Sequence, residues 1–246
     1  RHYMGVGDID GDGWKEIAVG AKGAPFADGN WFAFWKNPGQ GRVEQAWKKV
    51  MLAENQMAAT YILPADVNGD GKTDWVATRG HGVGVIWFKN PTWEIHVIDA
   101  TIRQPHSLTV ADFDHDGDID AASCGYESKR LMLYLNDSRG NFKLHVLDDD
   151  QESYDLRSVD MDGDGDLDLF LGNKIEPGDT RAGRLFFFEN IGDATQPRLQ
   201  LRGPIEPFVG AYHYAPAFGD LDDDGDLDIL MGTWGDELQL VHNEGS

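Results

Sequence analysis

An all-β chain of repeated four-stranded antiparallel sheets, the blades of a β-propeller, is what the sequence predicts, on three observations. A nine-residue acidic loop is written five times, starting at Asp8, Asp66, Asp112, Asp160 and Asp220. The starts lie 58, 46, 48 and 60 residues apart, a spacing that signals a propeller or similar repeat array. Behind each loop, 15 to 22 residues after its last acidic position, an apolar or aromatic run closes on an asparagine: Asn37, Asn90, Asn136, Asn190 and Asn243.

Each unit reads in the same order. A first strand leads into the acidic loop, as residues 2–6 do in the first unit. The run after the loop, such as residues 17–19, 75–77 and 227–230, is short, apolar and bounded by glycine or polar turns, which suits a buried strand. A third strand ends on the asparagine, and a fourth follows at residues 94–98 and 142–147. Strands this short, separated by regular turn signals, are the pattern of propeller blades. The expected blades cover residues 1–53, 54–100, 101–149, 150–205 and 206–246 of a single domain, and the fifth lacks its own fourth strand.

The loop chemistry points to a hard cation. Oxygen side chains stand at the first, third, fifth and ninth places, and the seventh-place carbonyl can join them once glycine at the sixth place bends the backbone. The expected ligand sets are Asp8, Asp10, Asp12 and Glu16 with the Trp14 carbonyl; Asp66, Asn68, Asp70 and Asp74 with Lys72; Asp112, Asp114, Asp116 and Asp120 with Asp118; Asp160, Asp162, Asp164 and Asp168 with Asp166; and Asp220, Asp222, Asp224 and Asp228 with Asp226. The expectation is about five Ca²⁺ ions, one per loop, the second site being electrostatically weakest because of Asn68. An EF-hand is excluded, since its bidentate twelfth-place Glu is replaced by Val19, Ala77, Ser123, Leu171 and Met231.

The loop Asp-x-Asp-x-Asp-Gly-x-x-Asp, followed in phase by an aromatic strand ending in Asn, resembles the FG-GAP/VCBS repeats of calcium-binding propellers. That family includes integrin α-subunit heads, fungal lectins, polysaccharide lyases and a related group of sugar dehydratases. The resemblance implies a calcium-organised propeller. Its members usually have seven or eight blades where this chain shows five, so either a five-bladed ring closes imperfectly or, the favoured reading, the chain is a piece of a larger propeller with further blades or domains outside it.

Composition narrows the function classes. The chain has 246 residues, 41% hydrophobic and 11% aromatic, so it folds despite a net charge of −22. Nineteen of the twenty side-chain positions just named are carboxylates, so most of the excess acid is loop chemistry. No basic face of the size nucleic acid needs exists, and no apolar run approaches a membrane helix. Cys124 is alone, hence without an internal disulfide, and sits in a buried-strand run. A chain starting at Arg1 reads as processed or truncated. Loops of this kind fill at the calcium concentrations outside cells, which favours secretion or the cell surface.

The face opposite the loops carries the candidate ligand chemistry. Six residues before each loop stand His2, Thr60, His106, Tyr154 and Tyr214, with Tyr3, Tyr61, Asp155, Arg157 and His213 beside them. His2, His106, Tyr154, Arg157, His213 and Tyr214 are the candidate catalytic set, because proton abstraction beside a carboxylate needs a Tyr or His base and a cation. Lys22, Arg79, His81, Lys129, Arg130, Lys174 and Arg181 lie on the same side. With Trp31, Trp93 and Trp234, which could stack on sugar rings, the ligand candidates are Trp31, Trp234, Arg79, His81 and Lys174. Three functions fit: a secreted carbohydrate-recognition module, a polysaccharide lyase or sugar dehydratase, and a scaffold binding an extracellular protein. Fold does not choose among them.

Overall fold

The computed structural model describes residues 3–23, 29–151, 153–175, 183–192, 196–205, 214–233 and 238–244. The candidates His2, Arg181, His213 and Trp234 lie outside the described residues. The described residues are all-β and form five separate antiparallel sheets. The first is β1 (Met4–Gly7), β2 (Glu16–Ala21), β3 (Trp31–Lys36) and β4 (Lys48–Ala53). The second is β5 (Ile62–Ala65), β6 (Asp74–Thr78), β7 (Val83–Lys89) and β8 (Glu94–Arg103). The third holds β9 (Pro105–Ala111), β10 (Asp120–Gly125), β11 (Arg130–Asn136) and β12 (Phe142–Asp148). The fourth holds β13 (Ser153–Val159), β14 (Asp168–Asn173), β15 (Leu185–Asn190) and β16 (Leu199–Pro204). The fifth has three described strands, β17 (Tyr214–Gly219), β18 (Asp228–Thr233) and β19 (Gln239–Val241).

Strands pair in chain order within each sheet, which is the up-and-down meander of a blade. The first strands face one another across the array: β1 packs on β5, β5 on β9, β9 on β13 and β13 on β17. The second strands β6, β10 and β14 are buried throughout, since blades cover them on both sides, and this is why they read as unbroken apolar runs. The outermost strands β4, β12 and β16 are largely exposed and carry the polar residues.

The core lies between sheets. Phe32, Phe34, Trp75 and Phe88 join the first two, and Trp87, Ile102, Leu108 and Tyr134 the next pair. Phe113, Leu131, Leu169 and Phe188 fill the third gap, and Phe170, Leu185, Tyr214 and Met231 the fourth. Close contact needs a glycine at one of these gaps: a Cβ on Gly172 would stand 2.1 Å from the Tyr214 carbonyl oxygen. Cys124 is fully buried in the third gap, and burial pushes its thiol up to about 12, as for a core residue rather than a nucleophile.

Topology then separates two faces. The loops between first and second strands, with the turns after each asparagine, share one face. The connections between second and third strands, with the starts of the first strands, share the other.

Candidate metal centres and the opposite face

The five acidic loops adopt one conformation. The sixth-place N–H of Gly13, Gly71, Gly117, Gly165 and Gly225 donates to the first-place carboxylate of its loop at 2.8–3.1 Å. Each fifth-place carboxylate accepts the seventh-place N–H at 2.9–3.0 Å. The sixth-place glycines have φ between 78° and 99°, and a Cβ there would meet nothing within 4 Å, so conformation and not space requires glycine. The fourth place is left-handed as well, at Gly11, Gly69, His115, Gly163 and Asp223. Glycine in three of those five positions was the available signal for it.

The ninth-place side chain accepts backbone hydrogen bonds in every loop. One oxygen of Glu16, Asp74, Asp120, Asp168 and Asp228 accepts the second-place N–H of its own loop at 2.9–3.2 Å. The other accepts the backbone N–H of Asn37, Asn90, Asn136, Asn190 or Asn243 at 2.7–3.2 Å. The recurrent asparagine, a repeat marker in the sequence, is therefore part of the loop's architecture. Its side chain continues the role: Asn37, Asn90 and Asn136 donate Nδ2–H to the eighth-place carbonyls of Lys15, Thr73 and Ile119 at 3.1, 2.9 and 3.1 Å.

Four of the five loops bring three acidic side chains together as a hard divalent cation requires; among the described residues loop two, where Asn68 stands at the third place, does not. Ligand oxygens of Asp8, Asp10 and Glu16, of Asp112, Asp114 and Asp120, of Asp160, Asp162 and Asp164, and of Asp220, Asp222 and Asp224 each cluster within 4.8 Å. Loop three makes the case best. Asp114 and Asp120 are buried there, and the Oδ1 of Asp112 is shielded from solvent with no hydrogen-bond partner. Buried carboxylates packed together with a bare oxygen need positive charge. Burial pushes Asp74 and Asp168 up to about 6 and Asp120 to about 7, against the backbone hydrogen bonds that lower them. Glu16, Asp114 and Asp162 are raised for the same first cause.

In loops one, three and five the residue before the asparagine lies near the third place. The Lys36 ammonium bonds Asp10 in loop one. In loop five the His242 Nδ1 stands 3.3 Å from Asp222 and 3.5 Å from Asp228. Leu135 and Asp114 share the wall of a cavity of about 980 Å³ that also meets Phe142, His145 and Pro197 on the loop face.

The opposite face gathers some predicted residues and separates others. His106 stacks on Tyr154 with ring centroids 4.0 Å apart, and His81 meets His106 edge-on at 4.3 Å. Tyr126, not singled out in the sequence, stands edge-on to Tyr154 at 6.1 Å, and the Lys174 ammonium lies 5.3 Å from both tyrosine rings. Arg157 belongs to a second, central network. Its Nη1 donates to Asp155 at 2.5 Å and to the Tyr61 hydroxyl at 3.3 Å, while Ser107 donates to Asp155 at 3.0 Å. Burial opposes the charge of Arg157, but Asp155 and Tyr61 outweigh it and hold the guanidinium charged. Burial and Asp155 push the phenols of Tyr61 and of Tyr3, stacked on it at 3.7 Å, upward.

The remaining candidates sit elsewhere. Tyr214 is buried in the apolar cluster between the fourth and fifth sheets. Trp31 is buried at the start of β3, with the Lys49 ammonium 3.5 Å above its ring. Arg79 is half-buried and held by Gln56 through Nε and Nη2 at 3.3 and 2.8 Å.

The FG-GAP-like repeat model matches residues 8–77, 66–123, 112–171 and 160–231, each match running from one acidic loop into the second strand of the next unit. Among curated proteins none matches the sequence. Among solved structures, the chain is similar to the crystal structure of the Vibrio cholerae biofilm matrix protein Bap1, with a TM-score of 0.52 at 16% identity. The similarity covers 88% of this chain and 30% of that one, and at such identity it concerns the fold alone. Among the described residues no helix is long and apolar enough to cross a membrane.

Proposed function

The chain belongs to the FG-GAP-like repeat family, and from that premise we propose that it is a calcium-organised extracellular module that binds carbohydrate on the face opposite its acidic loops. Its ions would be held by the first-, third-, fifth- and ninth-place side chains with the seventh-place carbonyl. Calcium would neutralise the crowded loop carboxylates and so rigidify the blades that present the opposite face. Support for an extracellular setting comes from the calcium chemistry and from likeness in fold to a biofilm matrix protein.

The aromatic cluster carries the carbohydrate reading. His81, His106, Tyr126 and Tyr154 come from three successive blades, and Lys174 from the last of these adds a cation beside two of the rings. Aromatic faces pack against the apolar faces of sugar rings, and a nearby ammonium favours an acidic sugar. The raised phenols of Tyr3 and Tyr61 suit hydrogen bonding rather than a base for elimination.

A glycan array read with wild type, Tyr154→Ala and Lys174→Ala tests this. Retention of acidic polysaccharide that both variants weaken about tenfold or more, with calcium affinity unchanged, is the expected result. His145→Ala, in the cavity on the loop face, serves as the control and should bind as wild type does. Loss of binding in His145→Ala alone would move the site to the loop face. Absence of any retained glycan would leave a protein-binding scaffold. Release of unsaturated, ultraviolet-absorbing ends would make it a lyase.

A further inference from the structure

Resting on the calcium reading above, we propose that Asn90 and Asn136 are positioning residues shared between neighbouring metal loops, so that calcium binds the array cooperatively and not as independent sites. The geometry is a bridge repeated in register. The Nδ2 of Asn90 donates to Thr73 O, at the eighth place of loop two, at 2.9 Å, and to Ile9 O, at the second place of loop one, at 2.7 Å. One blade further on, Nδ2 of Asn136 donates to Ile119 O in loop three at 3.1 Å and to Val67 O in loop two at 2.7 Å. The backbone N–H of each asparagine also holds a ninth-place carboxylate, Asp74 or Asp120, at 2.7 and 2.8 Å.

Each bridged carbonyl lies between two expected ligands. Ile9 separates Asp8 from Asp10, and Thr73 separates the Lys72 carbonyl from Asp74. A cation that orders one loop therefore orders the peptide to which the amide is anchored. The amide, buried and with both its N–H groups used, passes that order to the next loop. Prepaid ordering in one site lowers the cost of filling the other, which is positive coupling.

The bridge is not uniform. Nδ2 of Asn190 is buried without a hydrogen-bond partner, while its Oδ1 accepts from Gly192 and Arg198 at 3.2 and 2.9 Å. Loops three and four instead meet through His115 Nδ1 and Asp166, 3.5 Å apart and partly exposed. Coupling is thus strongest between loops one and two and between two and three.

Loop one contains its own reporter. Trp14 supplies the seventh-place carbonyl, so a terbium ion taking calcium's place there would luminesce by energy transfer from its indole. Terbium is titrated into the intact chain and into Asp70→Ala, which disables loop two without touching either Asn90 bond. In the otherwise wild-type chain, disabling loop two should weaken loop one about fivefold, the low end of measured couplings. In the Asn90→Ala background the same substitution should change loop-one affinity less than twofold. Asn136→Ala, which cuts the bridge one blade away, should leave the coupling of loops one and two in place; a general loosening of the fold would remove it in both. If Asn90→Ala does not fold, Asn90→Asp keeps the side-chain length and the backbone donor but has no amide N–H.

Terbium binding unaffected by Asp70→Ala would overturn the coupling while leaving the calcium reading intact. Coupling that survives in Asn90→Ala would overturn the role of the asparagine. No sensitised terbium at all would overturn both.

Discussion

Loops three and five share the acidic framework Asp-x-Asp-x-Asp-Gly-Asp-x-Asp and the same backbone N–H bonds to their carboxylates, yet they hold their charge differently. In loop three, Asp114 and Asp120 are buried between neighbouring blades, and burial pushes Asp120 up to about 7. In loop five Asp220, Asp222 and Asp224 are exposed; Asp228 is as buried as Asp120, but the N–H groups of Asn243 and Leu221, helped by His242, hold it below the usual carboxylate range. The motif sets the geometry of a site, and the surrounding blades set what it costs to keep that site charged. Loop three should depend on a cation for stability far more than loop five.

Removing the ninth-place acid separates the two most strongly. Asp120→Ala deprives the N–H groups of Phe113 and Asn136 of their acceptor, at roughly 1–3 kcal/mol each, so a loss of about 3 kcal/mol is expected in urea unfolding with calcium. Asp228→Ala, at the end of the described array, should cost less. Equal losses would show that neighbouring blades do not matter.

Chelation should reverse a second substitution in loop three. With calcium, Asp120→Asn removes a ligand charge and lowers the melting temperature. In EDTA it relieves a buried carboxylate among like charges, so the variant should melt above wild type at pH 8. The same change at Asp228 should not switch sign. EDTA itself should lower the wild-type melting temperature, since a ligand present at 100 times its Kd adds about 2.7 kcal/mol per site; no change would make the loops simple acidic turns.

The pH dependence sharpens the contrast. Asp74, Asp120 and Asp168 have folded-state values raised to about 6, 7 and 6. Their contribution to metal-free stability is fully present below about pH 4, the unfolded value, and is lost as pH rises through about 6 to 7. Asp228 has the opposite sign: its contribution is present above the unfolded value and is lost as pH falls through its lowered one. Metal-free melting temperatures at pH 5 and pH 8 should therefore fall with pH, and Asp120→Asn should flatten the slope where Asp228→Asn does not. With saturating calcium the fall should disappear, because the ion binds the ionised loops.

The smallest effect belongs to the pair between loops three and four. His115 and Asp166 are 3.5 Å apart and partly exposed, so His115→Ala should change stability by no more than about 0.5 kcal/mol. A larger loss would mean that this pair ties loops three and four together more firmly than a partly exposed ion pair does.

The acidic loops and the strands around them were legible because their cause is local. Asp at alternate positions and Gly13, Gly71, Gly117, Gly165 and Gly225 encode the turn within nine residues, and the buried second strands declare themselves as apolar runs such as that of β14. The asparagines were visible as a phase marker but not as a bridge. Asn136 meets Val67 69 residues earlier in the chain, and only blade packing decides which carbonyl an amide reaches.

The opposite face divides in the same way. Their place six residues before an acidic loop, or close to that place, marks His106, Tyr154 and Arg157 as first-strand residues near one end of the array. Their partners are set by neighbouring blades: His106 and Tyr154 stack across 48 residues, while Arg157 turns to Asp155 and to Tyr61, 96 residues away. Tyr126 escaped notice because a lone tyrosine in a turn carries no periodic signal. The sequence by itself determined the repeat, the turn geometry and the acidic clusters of the loops, since each depends on residues close to one another in the chain. Burial of the loop carboxylates, the shared asparagine amides and the ring cluster were decided only when separate blades came together, because desolvation and side-chain contact are properties of the packed array.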